Sequence, residues 1–258
     1  MNKSNFARHQ GLLIKSLTAG HGLVTRICDD MLELVHTYSA LSETGYVQLP
    51  FLLERPRGEP SPHFWVSLAH GGQPIALAGY RLMTNGDKAQ TCAAFFADGG
   101  LYPPQNPRPE AYLLDSGPVL APHVSFGYLG AGWVHPDWRG HNLAGYLSRI
   151  VYGEAALRSK TPPALMSAMT FEPMFRTGMN LRASGWHHMH AQLILDGYLS
   201  AMDRDERMYL SYNTMAEQAA LYDLELDYLD QAQPVPWLRK NDKTATSAIL
   251  ANMMAALP

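Results

Sequence analysis

The sequence is poor in cysteine, in blocks of like charge and in long apolar runs, and each absence excludes a class of protein. Two cysteines in 258 residues cannot form a disulfide framework, so a reduced, cytoplasmic setting is expected. The 20 basic residues are outnumbered by 23 acidic ones, so the basic surplus typical of nucleic-acid-binding domains is missing. The apolar stretch at 11–14 ends at Lys15 and is too short for a signal peptide or a membrane span. We therefore expect neither a nucleic acid nor a membrane as partner.

The apolar residues recur at the spacings of strands and helices. Alternating or β-branched segments predict strands at 23–28, 63–69, 74–83, 124–134, 164–169, 188–195 and 207–212. Helical spacing predicts helices after Asp29-Asp30, from Leu143, near Pro173 and over 244–257. Strands and helices alternate in the middle of the chain, which predicts parallel neighbours there. The expected fold class is therefore α+β, with a mixed central sheet flanked by helices.

The run from Trp133 to Gly145 has the clearest chemistry. An apolar strand containing Gly127, Gly130 and Gly132 ends in a proline turn, and glycines within a strand mark a bulge or the close approach of a ligand. A short Arg-Gly segment then leads into the helix that begins near Leu143. Phosphate binding at a helix start needs unpaired N–H groups, little side-chain bulk and the helix dipole. The run supplies all three in part and predicts an anion site.

This segment resembles the signature of the GNAT family of acyl-CoA-dependent N-acyltransferases, which is Arg/Gln-x-x-Gly-x-Gly/Ala after a strand that ends Val-x-Pro. Val134-His135-Pro136 matches the strand end, and the hexapeptide at 139–144 matches at Arg139 and Ala144. Asn142 replaces the middle glycine, and Asn tolerates a left-handed backbone better than most residues. The predicted element order over 23–212 also resembles that of the family.

The resemblance implies a division of the chain and a binding site for coenzyme A. Residues 1–20 would form an N-terminal extension, 21–213 the acyltransferase domain with an insertion at 85–123, and 214–258 a helical C-terminal extension. The pantetheine arm would pair with the backbone at 132–134, and the acyl carbonyl would lie near the splayed ends of the strands at 124–134 and 164–169. The implied residues for acetyl-CoA or another acyl-CoA are Gly132, Trp133, Val134, Arg139, Gly140, His141, Asn142, Leu143, Ala144 and Gly145, with the amides of 140–145 on the pyrophosphate.

The catalytic group is less clearly marked. Family members often carry a Tyr four residues before a Gly-Phe/Tyr pair, which here corresponds to Gly185-Trp186 and places Leu181 at that position. The strand at 124–134 has no carboxylate, so the candidates for proton transfer are Tyr128 on it and His123 at its start. Core packing is the alternative for Tyr128, and a surface turn is the alternative for His123. Other polar candidates are Ser125, Glu110 and Asp115, and transfer through water also stays open.

The acceptor and further partners are predicted from the remaining segments. The Pro-rich insertion favours an enclosed, small or medium-sized amine over a protein tail. His187, His188 and His190 are interpreted as ordinary strand histidines, so no metal is expected. The helix at 244–257 would dock on its own chain, contact a second copy in a homodimer, or cover the acceptor.

Two other functions are open at this point. The first is a CoA-binding or regulatory protein without catalysis, for which Asn142 and Leu181 are the evidence. The second is a transferase that uses a longer acyl thioester or an acyl carrier protein.

Overall fold

The computed structural model describes residues 3–43, 47, 51, 63–84, 110–111, 125–173, 188–199, 204–235 and 238. Four α-helices lie within these ranges: α1 (Lys3–His21), α2 (Met31–Leu41), α3 (Leu143–Arg158) and α4 (Met215–Asp230). The strands are β1 (Val24–Cys28), β2 (His63–His70), β3 (Gln73–Thr84), β4 (Glu110–Ala111), β5 (Ser125–Val134), β6 (Leu165–Phe171), β7 (His188–Leu199) and β8 (Arg204–Thr214).

The strands form one sheet in the order β1-β2-β3-β5-β6-β8-β7-β4. Every neighbouring pair is antiparallel except β5 and β6, which run parallel with α3 between them in the chain. The predicted α+β class and the predicted parallel neighbours in the middle of the sheet are therefore confirmed. The two-residue β4 at one edge was not predicted.

Local chemistry sets several element boundaries. Gly71 and Gly72 both adopt positive φ (56° and 83°), as the two-residue hairpin turn between β2 and β3 requires. The Asp30 side chain caps α2 by accepting from the N–H groups of its first turn. The helical spacing in the sequence groups Leu32 with Met31 and Leu34 on one face of α2, but Leu32 is exposed. One residue advances a helix by about 100°, which turns Leu32 away from the buried Met31.

The two faces of the sheet carry separate apolar clusters, because successive strand residues point to opposite faces. One cluster holds alternate residues of β2 and β3, including Phe64 and Tyr80, and packs against α1, α3 and α4. The other holds Trp65 and Leu77 from the same strands and packs against α2. The candidate anion site therefore begins on α3, a helix of the first layer.

Helices α1 and α4 cover the outer side of α3. Twelve of the sixteen residues of α3 are buried, and the residues that α1 contributes to the same core are Phe6, Leu13 and Leu17. The boundary expected after residue 20 falls at the end of α1. Helix α4 lies within the predicted helical extension at 214–258 and shares the α3 core through Leu221 and Tyr222.

Several predictions fall outside the described residues. These are His123, Asp115, Leu181, His187, Gly185-Trp186, most of the insertion at 85–123 and the helix at 244–257. Within the described part of the chain, no helix is both long and apolar enough to cross a membrane.

Candidate functional site

The sheet opens between its two parallel strands. β5 and β6 pair only at Gly127–Met166 and Tyr128–Ser167, although β5 continues for six more residues beside β3. From Gly132 to Val134, the edge of β5 that points away from β3 has no paired strand in the described part of the chain. Peptide groups on such an edge can pair with an extended ligand. The gap lies where the resemblance places the acyl carbonyl.

A bulge bends β5 at this opening. Leu77 pairs with Trp133 and Gly79 with Gly130, so the single residue Ala78 faces two residues, Ala131 and Gly132. Ala131 has a φ of 48°, the left-handed conformation that non-glycine residues rarely adopt. A bulge increases the local bend and twist of its strand, which separates the end of β5 from β6. The sequence predicted a bulge or a close ligand from the glycines, and the bulge is confirmed.

The turn after β5 is built from a short 3₁₀ helix and two left-handed residues. Pro136–Trp138 form the 3₁₀ helix, and the His135 side chain accepts from the Asp137 N–H at 3.2 Å. Gly140 has a φ of 87° and Asn142 a φ of 58°. Asn142 thus adopts the left-handed conformation predicted for it, and the chain keeps the turn without the middle glycine of the GNAT signature.

The N-terminus of α3 presents its amides beside this turn. Among the described residues, no backbone carbonyl accepts from the N–H groups of Gly140, Leu143 or Ala144. The N–H groups of His141 and Gly145, also expected to face a phosphate, donate instead to the carbonyls of Trp138 (3.4 Å) and Asn142 (2.9 Å). Unpaired amides at a helix start carry the positive end of the helix dipole and suit an anion.

Arg139 stands next to these amides and is held only loosely. Its side chain is 61% exposed, and Nη2 lies 3.7 Å from Oε1 of Glu43, itself 85% exposed. An exposed pair at this distance contributes little to stability. Arg139 can therefore turn toward a bound anion at small cost.

Aromatic rings line the turn. Trp138 lies 5.1 Å from the His70 ring and 5.5 Å from the His141 ring, measured between centroids. Trp133 meets the His135 ring edge-on at 5.9 Å. Leu143 is buried in the core and fixes the first turn of α3 against the sheet. Of the predicted binding residues, the side chains of Trp133, Val134, His141 and Ala144 are half-buried.

Tyr128 lies deep in the apolar cluster on the α2 side of the sheet. Its side chain is 1% exposed, and its ring stacks on Phe51 with centroids 5.9 Å apart. This burial matches the packing alternative, and the catalytic role of Tyr128 stays a prediction. Glu110, a further candidate from the sequence, lies on β4, which is four strands away from β5 in the sheet.

Two side chains beneath the turn were not singled out from the sequence. Ser148 donates through Oγ to the carbonyl of Ala144 at 2.8 Å, and Arg149 donates through Nη1 to the carbonyl of Gly145 at 3.0 Å. Arg149 is fully buried. An arginine at an inward position of an otherwise apolar helix is the sequence signal that could have found it. The described residues contain no group of three side chains able to hold a metal ion.

Comparisons with known proteins give similarity only at the level of solved structures. No family model and no curated protein matches the chain. Arabidopsis thaliana NAA60 in complex with acetyl-CoA is 9% identical, covers 75% of this chain and 99% of its own, and has a TM-score of 0.44. FeeM, an N-acyl amino acid synthase from uncultured soil microbes, is 13% identical over 78% of this chain and 97% of its own, with a TM-score of 0.41.

A third solved structure is the Drosophila melanogaster polyamine N-acetyltransferase. It is 15% identical, covers 75% of this chain and 100% of its own, and has a TM-score of 0.39. Similarity at this level assigns neither an activity nor a residue role.

Proposed function

We propose that the chain is a GNAT-type N-acyltransferase that moves an acyl group, in the first place acetyl, from acyl-CoA to an amine. One juxtaposition carries the proposal. The unpaired edge of β5 at 132–134 leads directly into the turn at 135–142, and that turn ends at the unpaired amides of α3. An edge that can pair with an amide-containing arm thus lies beside a site for phosphates, which matches the two chemical halves of coenzyme A.

The residues present fit such a ligand. A Cβ built on Gly132 would meet no atom of the described residues within 4 Å, so the face of β5 is open beside the unpaired edge where the pantetheine arm would lie. The amides of Gly140, Leu143 and Ala144 would bind the pyrophosphate, and Arg139 would add a positive charge. The Trp138 and His141 rings lie close enough to the turn to border the rest of the nucleotide.

The transfer itself needs few protein groups. An acyl thioester supplies an activated carbonyl, and a neutral amine attacks it, forming a C–N bond as the C–S bond breaks. The amine loses a proton and the departing sulfur gains one, so the protein has to orient the two reactants and allow proton exchange. The acyl carbonyl would lie in the gap between β5 and β6, and Tyr128, His123 or water would complete the proton transfer.

The acceptor is proposed to be a small or medium-sized amine. The support is the proline-rich insertion at 85–123, which is long enough to enclose a ligand. Measuring turnover with a panel of small amines and peptides tests which class of acceptor the protein uses. Activity on peptides alone would rule out the enclosed acceptor while leaving the donor site intact.

Coenzyme A binding is the first experiment, measured by thermal shift and by calorimetry with acetyl-, medium- and long-chain acyl-CoA. The melting temperature should rise with ligand concentration in excess of the dissociation constant. Arg139→Glu should raise the dissociation constant at least about tenfold, because a charged contact to phosphate contributes about 1.5 kcal/mol.

Lys160→Glu is the matched control, because it makes the same charge change at an exposed residue beyond the far end of α3. Sixteen helical residues separate the two ends by about 24 Å, so Lys160→Glu should bind like the wild type. An equal loss in both variants would show a general charge effect and no phosphate site at the turn. The absence of binding to any acyl-CoA would refute the proposed function.

A CoA-binding protein without catalysis is the second candidate. The observation that favours it is the burial of Tyr128, on a strand that carries no carboxylate. Measurable affinity for acyl-CoA without turnover on any amine would select it.

A further inference from the structure

A fully buried charged cluster lies where α1, α3 and α4 meet. His9 of α1, Arg149 of α3 and Glu225 of α4 each have side chains with no exposed surface. Both oxygens of Glu225 accept from Nε of Arg149, at 2.7 and 3.0 Å. Nε2 of His9 lies 2.7 Å from Oε2 of Glu225, and the paired carboxylate accepts, so the imidazole donates.

The cluster is braced by aromatic and backbone contacts. The His9 ring stacks on the Tyr222 ring, with centroids 4.0 Å apart and planes within 8°. The Tyr222 hydroxyl donates to the carbonyl of Arg149. Each of the three helices therefore contributes at least one member, and the cluster ties α3 to α4 directly and to α1 through Glu225.

Stability alone does not explain this arrangement. Removing two charges from water costs about as much as their attraction returns, and well-packed apolar side chains at such places are often as stable. A buried cation at this position calls for a role in fixing geometry.

Arg149 makes one contact that reaches the proposed anion site. Its Nη1 donates to the carbonyl of Gly145 at 3.0 Å, and the N–H of Gly145 donates to the carbonyl of Asn142 at 2.9 Å. Gly145 thus joins the buried cluster to the left-handed turn. Glycine has the greatest backbone freedom of any residue. The side-chain hydrogen bond from Arg149 to the carbonyl of Gly145 therefore limits the conformations of the turn that carries the amides.

We propose that His9, Arg149 and Glu225 are positioning residues, which hold the first turn of α3 in the conformation that binds the pyrophosphate of coenzyme A. The inference rests on the proposed function for the identity of the ligand. Helices α1 and α4 then act on the donor site without touching the donor, because Glu225 of α4 binds the arginine that fixes Gly145 and His9 of α1 binds Glu225. A turn held in its bound conformation loses less entropy when the ligand arrives.

The test replaces the whole cluster by apolar residues, in the triple variant His9→Leu, Arg149→Met and Glu225→Leu. This change leaves no unpaired charge in the core, so the protein should fold. The dissociation constant of coenzyme A, measured by calorimetry, should rise about tenfold, the lower end of what supporting residues contribute at ligand sites. In the ligand-free protein, amide hydrogen exchange over 139–146 should become faster.

Leu221→Ala is the stability-matched control, because Leu221 is buried on α4 in the same core and its apolar side chain forms none of the hydrogen bonds of the cluster. It should lower the melting temperature and leave both the dissociation constant and the exchange over 139–146 unchanged. If the triple variant does not fold, Glu225→Gln and Arg149→Lys give the same two readouts with smaller perturbations.

The outcomes separate the two proposals. A folded triple variant with wild-type affinity and wild-type exchange at the turn overturns the positioning role. A wild-type protein that binds no coenzyme A refutes the proposed function, and the exchange measurement then still decides whether the cluster holds the turn. Equal effects in the triple variant and in Leu221→Ala would assign the loss to general destabilisation and also overturn the inference.

Discussion

Gly127 and Gly132 lie on the same strand, but they lack a side chain for different reasons. A Cβ on Gly127 would lie 2.9 Å from Cε of Met166 and closer still to its Sδ, so the core of the sheet leaves no room for it. Gly132 has open space around the same position, and neither residue has a positive φ. Packing therefore explains Gly127, whereas Gly132 lies in the bulge of β5, at the edge where the donor is proposed to bind.

Replacing each glycine by alanine distinguishes a packing role from a ligand-binding role. Gly127→Ala should lower the free energy of unfolding by about 1–3 kcal/mol, the usual cost of overfilling a core. Gly132→Ala should leave that free energy within about 0.5 kcal/mol of the wild type and weaken the binding of acetyl-CoA. Urea denaturation and calorimetry on both variants check this. Undiminished affinity in Gly132→Ala would remove the edge of β5 from the donor site.

The residue-level predictions that succeeded depend on local backbone chemistry. Asn142 could be assigned a left-handed conformation from the sequence because its short polar side chain tolerates that region. The positive φ of Ala131 could not, since a bulge depends on the register of β5 against β3, and the residue that faces Ala131 is Ala78, 53 positions earlier in the chain. Arg149 was missed because its carboxylate partner is 76 residues away.

Helix α4 starts at a pattern readable in the sequence. Thr214 Oγ1 accepts from the N–H of Glu217 at 3.2 Å, while Oε2 of Glu217 accepts from the N–H of Thr214 at 2.8 Å. This reciprocal capping box satisfies one N–H at each end of the first turn. It anchors the start of the helix that supplies Glu225.

Removing the cap should be costly at this position. Thr214→Ala should reduce the free energy of unfolding by about 1 kcal/mol, within the range measured for N-caps. Thr214→Ser, which keeps the hydroxyl, should retain most of the stability, and a chemical denaturation midpoint distinguishes the two. A Thr214→Ala variant as stable as Thr214→Ser would show that packing alone determines the start of α4.

The elements of the sheet were more predictable than those of the layer that covers α3. Each of the seven predicted strands is present, because alternation and β-branched residues mark them directly. Helix α1 was missed, since buried positions on it hold His9 and Gln10, which interrupt the apolar stripe. Their partners are Glu225 and Glu154, at 216 and 144 residues' separation. Local sequence periodicity cannot predict contacts between residues so far apart in the chain.

At the scale of the whole molecule, the core holds several tyrosines whose hydroxyl groups are removed from water. Burial raises the pKa of Tyr80, and it raises the pKa values of Tyr152 and Tyr222 well above their ordinary value. A raised pKa in the fold means that the folded protein keeps the proton where the unfolded chain loses it. These groups therefore leave stability unaffected below about pH 10, and stability falls as the pH rises above the unfolded pKa.

Each such tyrosine should contribute about 1.4 kcal/mol of lost stability per pH unit above about pH 10. Tyr80→Phe removes one titrating group, so the free energy of unfolding should fall less steeply with pH than in the wild type. Among the described residues the Tyr80 hydroxyl has no hydrogen-bond partner, so the variant should be as stable as the wild type at pH 8. Urea denaturation at pH 8, 10 and 11 measures the stability at pH 8 and its fall with rising pH. An equally steep fall in the free energy of unfolding for the two proteins would contradict the prediction.

The packing of α1 has a consequence for how the chain folds during synthesis. The helix is made before the elements that it packs against, since its Lys3 ammonium bonds to carbonyls of Leu157 and Ser159, and its His9 bonds to Glu225. Contacts separated by more than 150 residues form slowly, because a long loop must be ordered before they form. Part of the apolar side of α1 therefore stays uncovered until both α3 and α4 have been translated. A chain stalled before residue 215 would expose that surface to chaperones and to neighbouring chains.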